Sequence, residues 1–412
     1  MPQQLYLDTA RFGPILPECA NVLREYATLL EEEGQFPQFD DFLINGAAVW
    51  ADRLQQRFPT IARWKGLEHL KQSIIELCGL PADSTVLLAS ASRHLAGVIF
   101  RLLAQQSERV LCSDLDWPEF QTVLKQSLLQ SGGVLERMNA RIPNEPDESN
   151  RTRTRRMANR CRQRNCDGVL MTSVSNDGLP TEVDIFRESF GDFEPDIVVD
   201  ASQHVGHLPL NLGRDFTGTL LGGTHKWLRS GVPLSFAVIA AGDDNGANRT
   251  SLRKAIRASQ IDDPLLLLTA AVDLNVPRQT ARIEPLLAAW LAIQNALEKN
   301  LEQSIADRKQ NAWVITDIVR NLPLVFAIEW SNGIMRLRTS PRPAPEVQEH
   351  LSDAGLTVSV LDEDRLRISF PDTPFALDEE NLLREAFSGL LVHYSPFEGY
   401  ECDEEDGAHS FA

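Results

Sequence analysis

The sequence predicts an α/β fold: a large domain built on a mainly parallel seven-stranded sheet sandwiched by helices, followed by a small C-terminal α+β domain. Three observations carry this. From about residue 84, seven short apolar runs alternate with stretches of helical period, and near-continuous apolar strands joined by helices imply a parallel sheet covered on both faces. The chain has 412 residues, 43% hydrophobic and 24% charged, which suits one large domain and a smaller one with a core that needs no staples. Beyond residue 286 the pattern changes to short strands and helices in closer alternation.

Taken in order, residues 1–80 read as mainly helical, with apolar periodicity in NVLREYATLLEEE and HLKQSIIELCGL, and are expected to pack on the small domain and the site entrance. The large domain spans 81–285. Its strands are TVLLAS, RVLCSD, GVLERM, GVLMTS, DIVVDA, DFTGTLLG and LSFAVIA. Helices are expected in HLAGVIFRLLAQ, EFQTVLKQSLLQ, the arginine-rich RTRTRRMANRCRQR and near IFRESF. The polar AGDDNGANRTSLRKA reads as a break before the helical LLLLTAAVDL. One long helical stretch, 283–319, leads into the small domain, 286–395. That domain holds strands LVFAIEW, GIMRLRTS, TVSVL and DRLRISF and helices PEVQEHLSDAGL and EENLLREAFSGLL. An acidic tail, 396–412, reads as disordered. There is no internal repeat.

Forty Lys and Arg stand against 58 Asp and Glu, a formal charge of −18, which argues against nucleic acid or an anionic membrane as partner. The seven arginines between Arg151 and Arg164 read as a solvated helix face over the core, with an anionic partner docking there as the alternative. Six scattered cysteines without a CxxC pair match neither a zinc site nor a disulfide framework and fit a reduced cytoplasm. The first residues lack a signal-peptide pattern, and no apolar run approaches the ~18 residues that cross a bilayer. A cytoplasmic protein without a metal is expected.

In open parallel sheets, ligands bind beyond the carboxyl ends of the strands. Those positions here hold Asp200 and Gln203 after DIVVD, and Thr224, His225 and Lys226 after DFTGTLLGG. Ser90, Ala91 and Ser92 stand at a helix start, Trp117 after RVLCSDLD, and Asn176 after GVLMTSV. One acid, one lysine, an anion cradle and a flat aromatic would all be used by a pyridine ring carrying a phosphate and an aldehyde. The bland alternatives are a surface lysine past a strand, a simple N-cap serine at Ser92, and loop packing by Trp117.

The stretch VVDASQHVGHLPLNLGRDFTGTLLGGTHKW resembles the core of the class V aminotransferase family of pyridoxal-phosphate enzymes, which includes cysteine desulfurases, isopenicillin-N-epimerase-like proteins and kynureninase relatives. Asp200, Gln203, Asp215 and His225-Lys226 follow the family order. YLDTARFGP, SVSNDG and RLRISFP resemble further family segments, so the likeness runs over roughly residues 5–390. The resemblance implies an aspartate-aminotransferase-like fold, pyridoxal 5′-phosphate as cofactor, an amino acid or amine as substrate, and a homodimer to which residues 42–50 would contribute at the partner's entrance. It implies that Lys226 bonds the cofactor covalently and moves the Cα proton, and that Asp200 pairs with the ring nitrogen. Gln203 would bond the phenolic oxygen and Trp117 would stack on the ring. Ser92 with the amides at Ala91, together with Thr224 and His225, would hold the phosphate, and Asn176 would lie near the phenolic oxygen or substrate. Arg367 would take the substrate carboxylate, with Arg336 or Arg338 as alternatives, or it would be an exposed edge-strand arginine. His204 and His207 read as structural.

The chain departs from the family in having no cysteine between residues 325 and 370, which argues against a persulfide-forming desulfurase. Arg229 stands where relatives place a glycine-rich turn. Asp262 and Asp263 occupy the position of a threonine that in relatives reaches the partner subunit's phosphate, and Ser90-Ala91-Ser92-Arg93 replaces a threonine-rich turn. An aminotransferase is the family default, a β-eliminating lyase the alternative, and an inactive protein that keeps the fold a third. An α/β enzyme without pyridoxal would leave the Asp–Lys pair unexplained.

Overall fold

The structure is a computed structural model and describes residues 4–33, 39–141, 149–190, 194–212, 215–240, 245–274, 280–320, 322, 325–340 and 342–392. The tail expected at 396–412 lies outside the described residues.

The chain begins with β1 (Leu5–Tyr6) and helices α1 (Pro17–Glu33), α2 (Phe39–Asn45), α3 (Asp52–Arg57) and α4 (Leu67–Cys78). The large sheet follows: β2 (Thr85–Ala89), α5 (Ser92–Gln106), β3 (Arg109–Ser113), α6 (Pro118–Ser131), β4 (Val134–Met138), α7 (Asn150–Gln163), β5 (Gly168–Thr172), α8 (Val183–Glu188), β6 (Asp196–Asp200), β7 (Thr219–Gly223) and β8 (Ser235–Ile239). Next come α9 (Asn245–Ser259), α10 (Pro264–Leu274), α11 (Glu284–Glu298) and α12 (Leu301–Val319). The C-terminal part holds β9 (Val325–Ser331), β10 (Ile334–Thr339), α13 (Ala344–Asp353), β11 (Leu356–Thr357), β12 (Ser359–Asp362), β13 (Arg365–Ser369) and α14 (Leu377–Val392).

The seven strands run in the order β2-β8-β7-β6-β5-β3-β4, all parallel except β8, which is antiparallel to β2 and β7. The apolar runs are continuous because strand alternation feeds two cores. Leu111, Val169, Met171, Val199 and Leu220 enter one cluster with α1, α4 and α11 residues. Their neighbours Val110, Cys112, Leu170, Val198 and Leu221 enter the other, under α5, α6 and α9. A third cluster fills the C-terminal part and includes Leu5 and Leu7 from the start of the chain. Strand β1 pairs in parallel with β11, whereas α1 and α4 lie against α11.

Several sequence expectations change. The polar 241–255 stretch is no break: α9 covers most of it, because Leu252, Ala255 and Ile256 form a buried stripe against α5. The long helix divides at Lys299–Asn300, where the Asn300 side chain accepts from the Gln303 amide and starts α12. TVSVL forms two short strands in different sheets, β11 with β1 and β12 with β13. In and just after α7, Arg151, Arg155, Arg162 and Arg164 are exposed, but Arg153 is buried and donates to the Pro180 carbonyl at 2.6 Å. Strand β13 is interior to the sheet β12-β13-β10-β9, so Arg367 is not an edge-strand arginine. The five described cysteines are free and buried. No helix of the described residues is long and apolar enough to cross a membrane.

Candidate active site

The chain reverses direction across the sheet between β3 and β5, and a cavity of about 610 Å³ opens beyond the carboxyl ends of these strands and of β6 and β7. Of the residues singled out in the sequence, Ser92, Trp117, Asn176, Asp200, Gln203, His225, Lys226 and Arg367 all line it. Ala91 and Thr224 do not.

Lys226 sits in the turn after β7. A Cβ on Gly13 would stand 2.1 Å from the Lys226 carbonyl oxygen, so glycine is required where the N-terminal segment crosses this turn. The Gly13 amide donates to the His225 carbonyl at 2.8 Å, and Arg229 Nε donates to the Pro14 carbonyl at 2.8 Å. The lysine Nζ makes no hydrogen bond or ion pair with any described residue. Burial lowers its pKa; Asp200 opposes that shift and Arg367 adds to it.

Asp200 ends β6, buried, with Oδ1 accepting the Ser202 amide at 2.9 Å; its other oxygen accepts from no described residue. Gln203 is fixed at both ends: Nε2 donates to the Ala10 carbonyl at 2.8 Å, and Oε1 accepts the Trp227 indole N–H at 2.9 Å. One Nε2 hydrogen remains for a ligand. Trp117 is 48% exposed at the rim.

The anion side is narrower than the sequence suggests. Ser92 opens α5, whose N-cap Ala91 offers no side-chain bond; the His94 amide donates to the Ala91 carbonyl at 3.1 Å, which leaves the Ser92 and Arg93 amides available to an anion. Thr224 is fully buried, its hydroxyl bonded to Ser230 Oγ at 2.8 Å; the β7–β8 turn uses it up. His225 has a buried, unpartnered Nδ1, and burial together with Lys226 lowers its pKa to about 4. Asp263 is no stand-in for a phosphate donor. Its Oδ1 caps α10 through the Leu265 and Leu266 amides, and its Oδ2 accepts the Ser90 amide at 3.0 Å, the Ser90 hydroxyl at 2.7 Å and His94 at 2.6 Å.

Arg367, 4% exposed, is held by three distant segments. Its Nη1 donates to the Asn176 side chain and carbonyl, and its Nη2 to Asp8 Oδ1 at 3.0 Å and Ser359 Oγ at 3.2 Å. Ser359 in turn donates to Asp8 Oδ2 at 2.6 Å. The Nε is buried without a partner. Arg336 is engaged by Asp177 and Glu329, and Arg338 by Asp364; neither lines the cavity.

Four residues at or behind the cavity were not singled out in the sequence. Asp116 is wholly buried, accepting from the Ser113 amide at 2.6 Å and from Thr172 Oγ1 at 2.8 Å. Burial raises its carboxyl to about 7, with Asp200 adding to the shift. Thr172, which pairs with Asp200 in register, lines the cavity floor. Asp8 stood inside YLDTARFGP without a role; a polar residue between the apolar Leu7 and Ala10 was the available signal. Ser359, polar within the apolar TVSVL, gave a similar one.

On the far side of the lysine turn, the Trp227 ring stacks on His207 at 3.5 Å and 6°, and the Arg308 guanidinium lies 5.5 Å from the indole. Arg308 Nη2 donates to the His207 carbonyl at 2.5 Å, and Nη1 pairs with Asp372, which also holds Lys299 at 2.6 Å. His207 thus packs behind the lysine turn, its Nδ1 bonded to the Gln203 carbonyl at 2.8 Å.

A pyridoxal phosphate fits these residues: an unpartnered amine faces the cavity with a half-used carboxylate, an indole stands at its rim and an uncapped helix start lines its wall. Among the described residues no cluster suits a metal ion.

The fold is that of aspartate-aminotransferase-like proteins. The chain superposes on a cysteine desulfurase of Escherichia coli with a TM-score of 0.67 at 13% identity, covering 94% of this chain and 95% of that one. It superposes on the ureidoglycine–glyoxylate aminotransferase of Bacillus subtilis at 0.64 and 12%, over 95% and 94%. A C-DES variant with glycine covalently linked to its pyridoxal-phosphate cofactor gives 0.64 at 14%, over 93% and 96%. No family model and no curated protein matches the sequence.

Proposed function

We propose that the chain is a pyridoxal-phosphate-dependent enzyme acting on an amino acid or amine, an aminotransferase by preference. The observation that carries this is the Lys226 amine, unpartnered and turned to a cavity that it shares with the buried Asp200 carboxylate. The fold neighbours, which include pyridoxal-phosphate proteins, support it.

When bound through Lys226, the cofactor supplies a sink for the electron pair left at the substrate Cα. Asp200 would hold a proton at the ring nitrogen through its free oxygen. The second Gln203 N–H would bond the phenolic oxygen, and Trp117 would cover a ring face and exclude water. Ser92, the first-turn amides of α5 and the His225 ring would hold the phosphate. Lys226, its pKa lowered mainly by burial, is suited to take the Cα proton as a neutral amine and return it at another carbon. Arg367, whose Nη groups are engaged by Asn176, Asp8 and Ser359, would orient the α-carboxylate through its unpartnered Nε–H. The enzyme would act as a cytoplasmic homodimer; a fully active monomer in sedimentation at assay concentration would remove the dimer from the proposal.

The test is the visible spectrum of the purified protein with added cofactor, before and after borohydride. A yellow band that borohydride bleaches, fixing the cofactor to the Lys226 peptide, is expected. A protein that stays colourless would overturn the assignment. Products then separate the reactions: a 2-oxo acid with aminated cofactor marks transamination, pyruvate with ammonia or sulfide marks elimination.

A further inference from the structure

The segment between β1 and α1 brings into the cavity an arginine that the proposed chemistry leaves unused. The amides of Arg11 and Phe12 both donate to the Asp8 carbonyl, at 3.0 and 3.1 Å, closing a tight loop. That loop is tied on every side. The Ala10 amide donates to Ser369 Oγ at 3.0 Å, its carbonyl accepts Gln203 Nε2 at 2.8 Å, and the Tyr6 hydroxyl donates to the Phe12 carbonyl at 2.6 Å. Gly13 is bonded to His225. Arg11 therefore stands on a backbone fixed to the residues that flank Asp200 and Lys226, and its exposed side chain lines the same cavity.

The charges around the cavity are unequal in their compensation. Asp200 and Lys226 would be occupied by the cofactor. His225 is held neutral. Arg367 has Asp8 as a counter-ion at 3.0 Å. The Arg11 guanidinium forms no hydrogen bond or ion pair with any described residue. In a chain of net charge −18, which has carboxylates to spare, an arginine on a fixed loop at a cavity wall lacks the counter-ion that a ligand could bring.

Building on the pyridoxal-phosphate reading, we propose that Arg11 is a specificity-determining residue and that the substrate is an acidic amino acid, whose second carboxylate Arg11 receives while Arg367 takes the first. The probes are 2-methylaspartate and 2-aminoisobutyrate, which lack a Cα hydrogen and so bind without turnover and differ by one carboxylate. Calorimetry on the cofactor-loaded protein should find 2-methylaspartate bound about fivefold or more tightly than 2-aminoisobutyrate, the scale of one partly solvated ion pair. Arg11→Gln should abolish that preference while leaving 2-aminoisobutyrate within about twofold, and Arg11→Lys should keep most of it. No preference in the parent protein, or equal weakening of both probes by Arg11→Gln, would overturn the inference while the yellow band leaves the cofactor reading intact. A protein that never forms the band overturns both.

Discussion

Lys226 and Trp227 are neighbours in the chain and face opposite kinds of surroundings. Trp227 points into a stack where its ring, the His207 ring and the Arg308 guanidinium are packed and largely bonded. Lys226 points into open space with no described partner. Arg308 is a buried cation paired with Asp372; Lys226 is a buried amine with no hydrogen-bond or ion-pair partner among the described residues, its pKa lowered by burial against the opposing charge of Asp200. The first arrangement holds the turn in place. The second costs the fold free energy, because burial penalises the charged amine, and a group kept at such a cost is available to a ligand. A turn can carry a reactive side chain when the adjacent residue anchors it.

Four changes test this contrast. Lys226→Ala should reduce turnover by roughly 10³-fold and remove the borohydride-fixed cofactor, yet leave the thermal midpoint of the cofactor-free protein unchanged or raised; a lower midpoint would mean the lysine is structural. Arg308→Met should do the reverse, costing about 3 kcal/mol in denaturant unfolding, the lower end for a broken buried pair because Lys299 still neutralises Asp372. A loss under 1 kcal/mol would show the stack is not an anchor. Gly13→Ala forces a Cβ against the Lys226 carbonyl and should cost about 1–2 kcal/mol, with weakened cofactor retention; full retention would mean the turn tolerates displacement.

The fourth change, at Asp116, is the one whose effect depends on pH. Its carboxyl is raised to about 7 in the folded chain and titrates at about 4 when unfolded. The folded state therefore keeps a proton that the unfolded state has lost, and this group's contribution to stability falls as pH rises from about 4 through 7. Asp116→Asn should gain stability relative to the parent across that window in unfolding titrations. A constant difference would place the carboxyl's titration elsewhere.

The strand ends were the readable part of this molecule. Apolar runs flanked by polar residues placed Asp200, Gln203 and Lys226 beyond the sheet, because the parallel sheet obliges its strands to be apolar and its ligand-facing residues to follow them. Thr224 looked equally suited, but the hydroxyl partner that occupies it, Ser230, lies across a turn whose shape depends on a left-handed Arg229 at φ 61°. The α9 helix was hidden because, among its described side chains, three buried apolar positions (Leu252, Ala255 and Ile256) stand among many polar ones. The Asp8–Arg367 pair joins residues separated by most of the chain, and nothing local to either announces the other. Asp263 read as an acid out of place near a phosphate site; its five hydrogen bonds to Ser90, His94, Leu265 and Leu266 give it a structural task.

The pairing of Leu5 with Leu356 has a bearing on how the protein is made. The loop at residues 8–13 precedes the large sheet in the chain, but its partners Ser359, Arg367 and Ser369 follow about 350 residues after it, a delay of roughly 20–70 s at ordinary translation rates. The strand-end residues can assemble on the nascent chain well before then. On the proposed reading, a cofactor arriving early would find Lys226 and Asp200 but not the fixed Arg11 loop or Arg367. If the proposal holds, a ribosome-stalled chain should acquire colour before it acquires discrimination, because the last strand to emerge is the one that completes the proposed substrate rim.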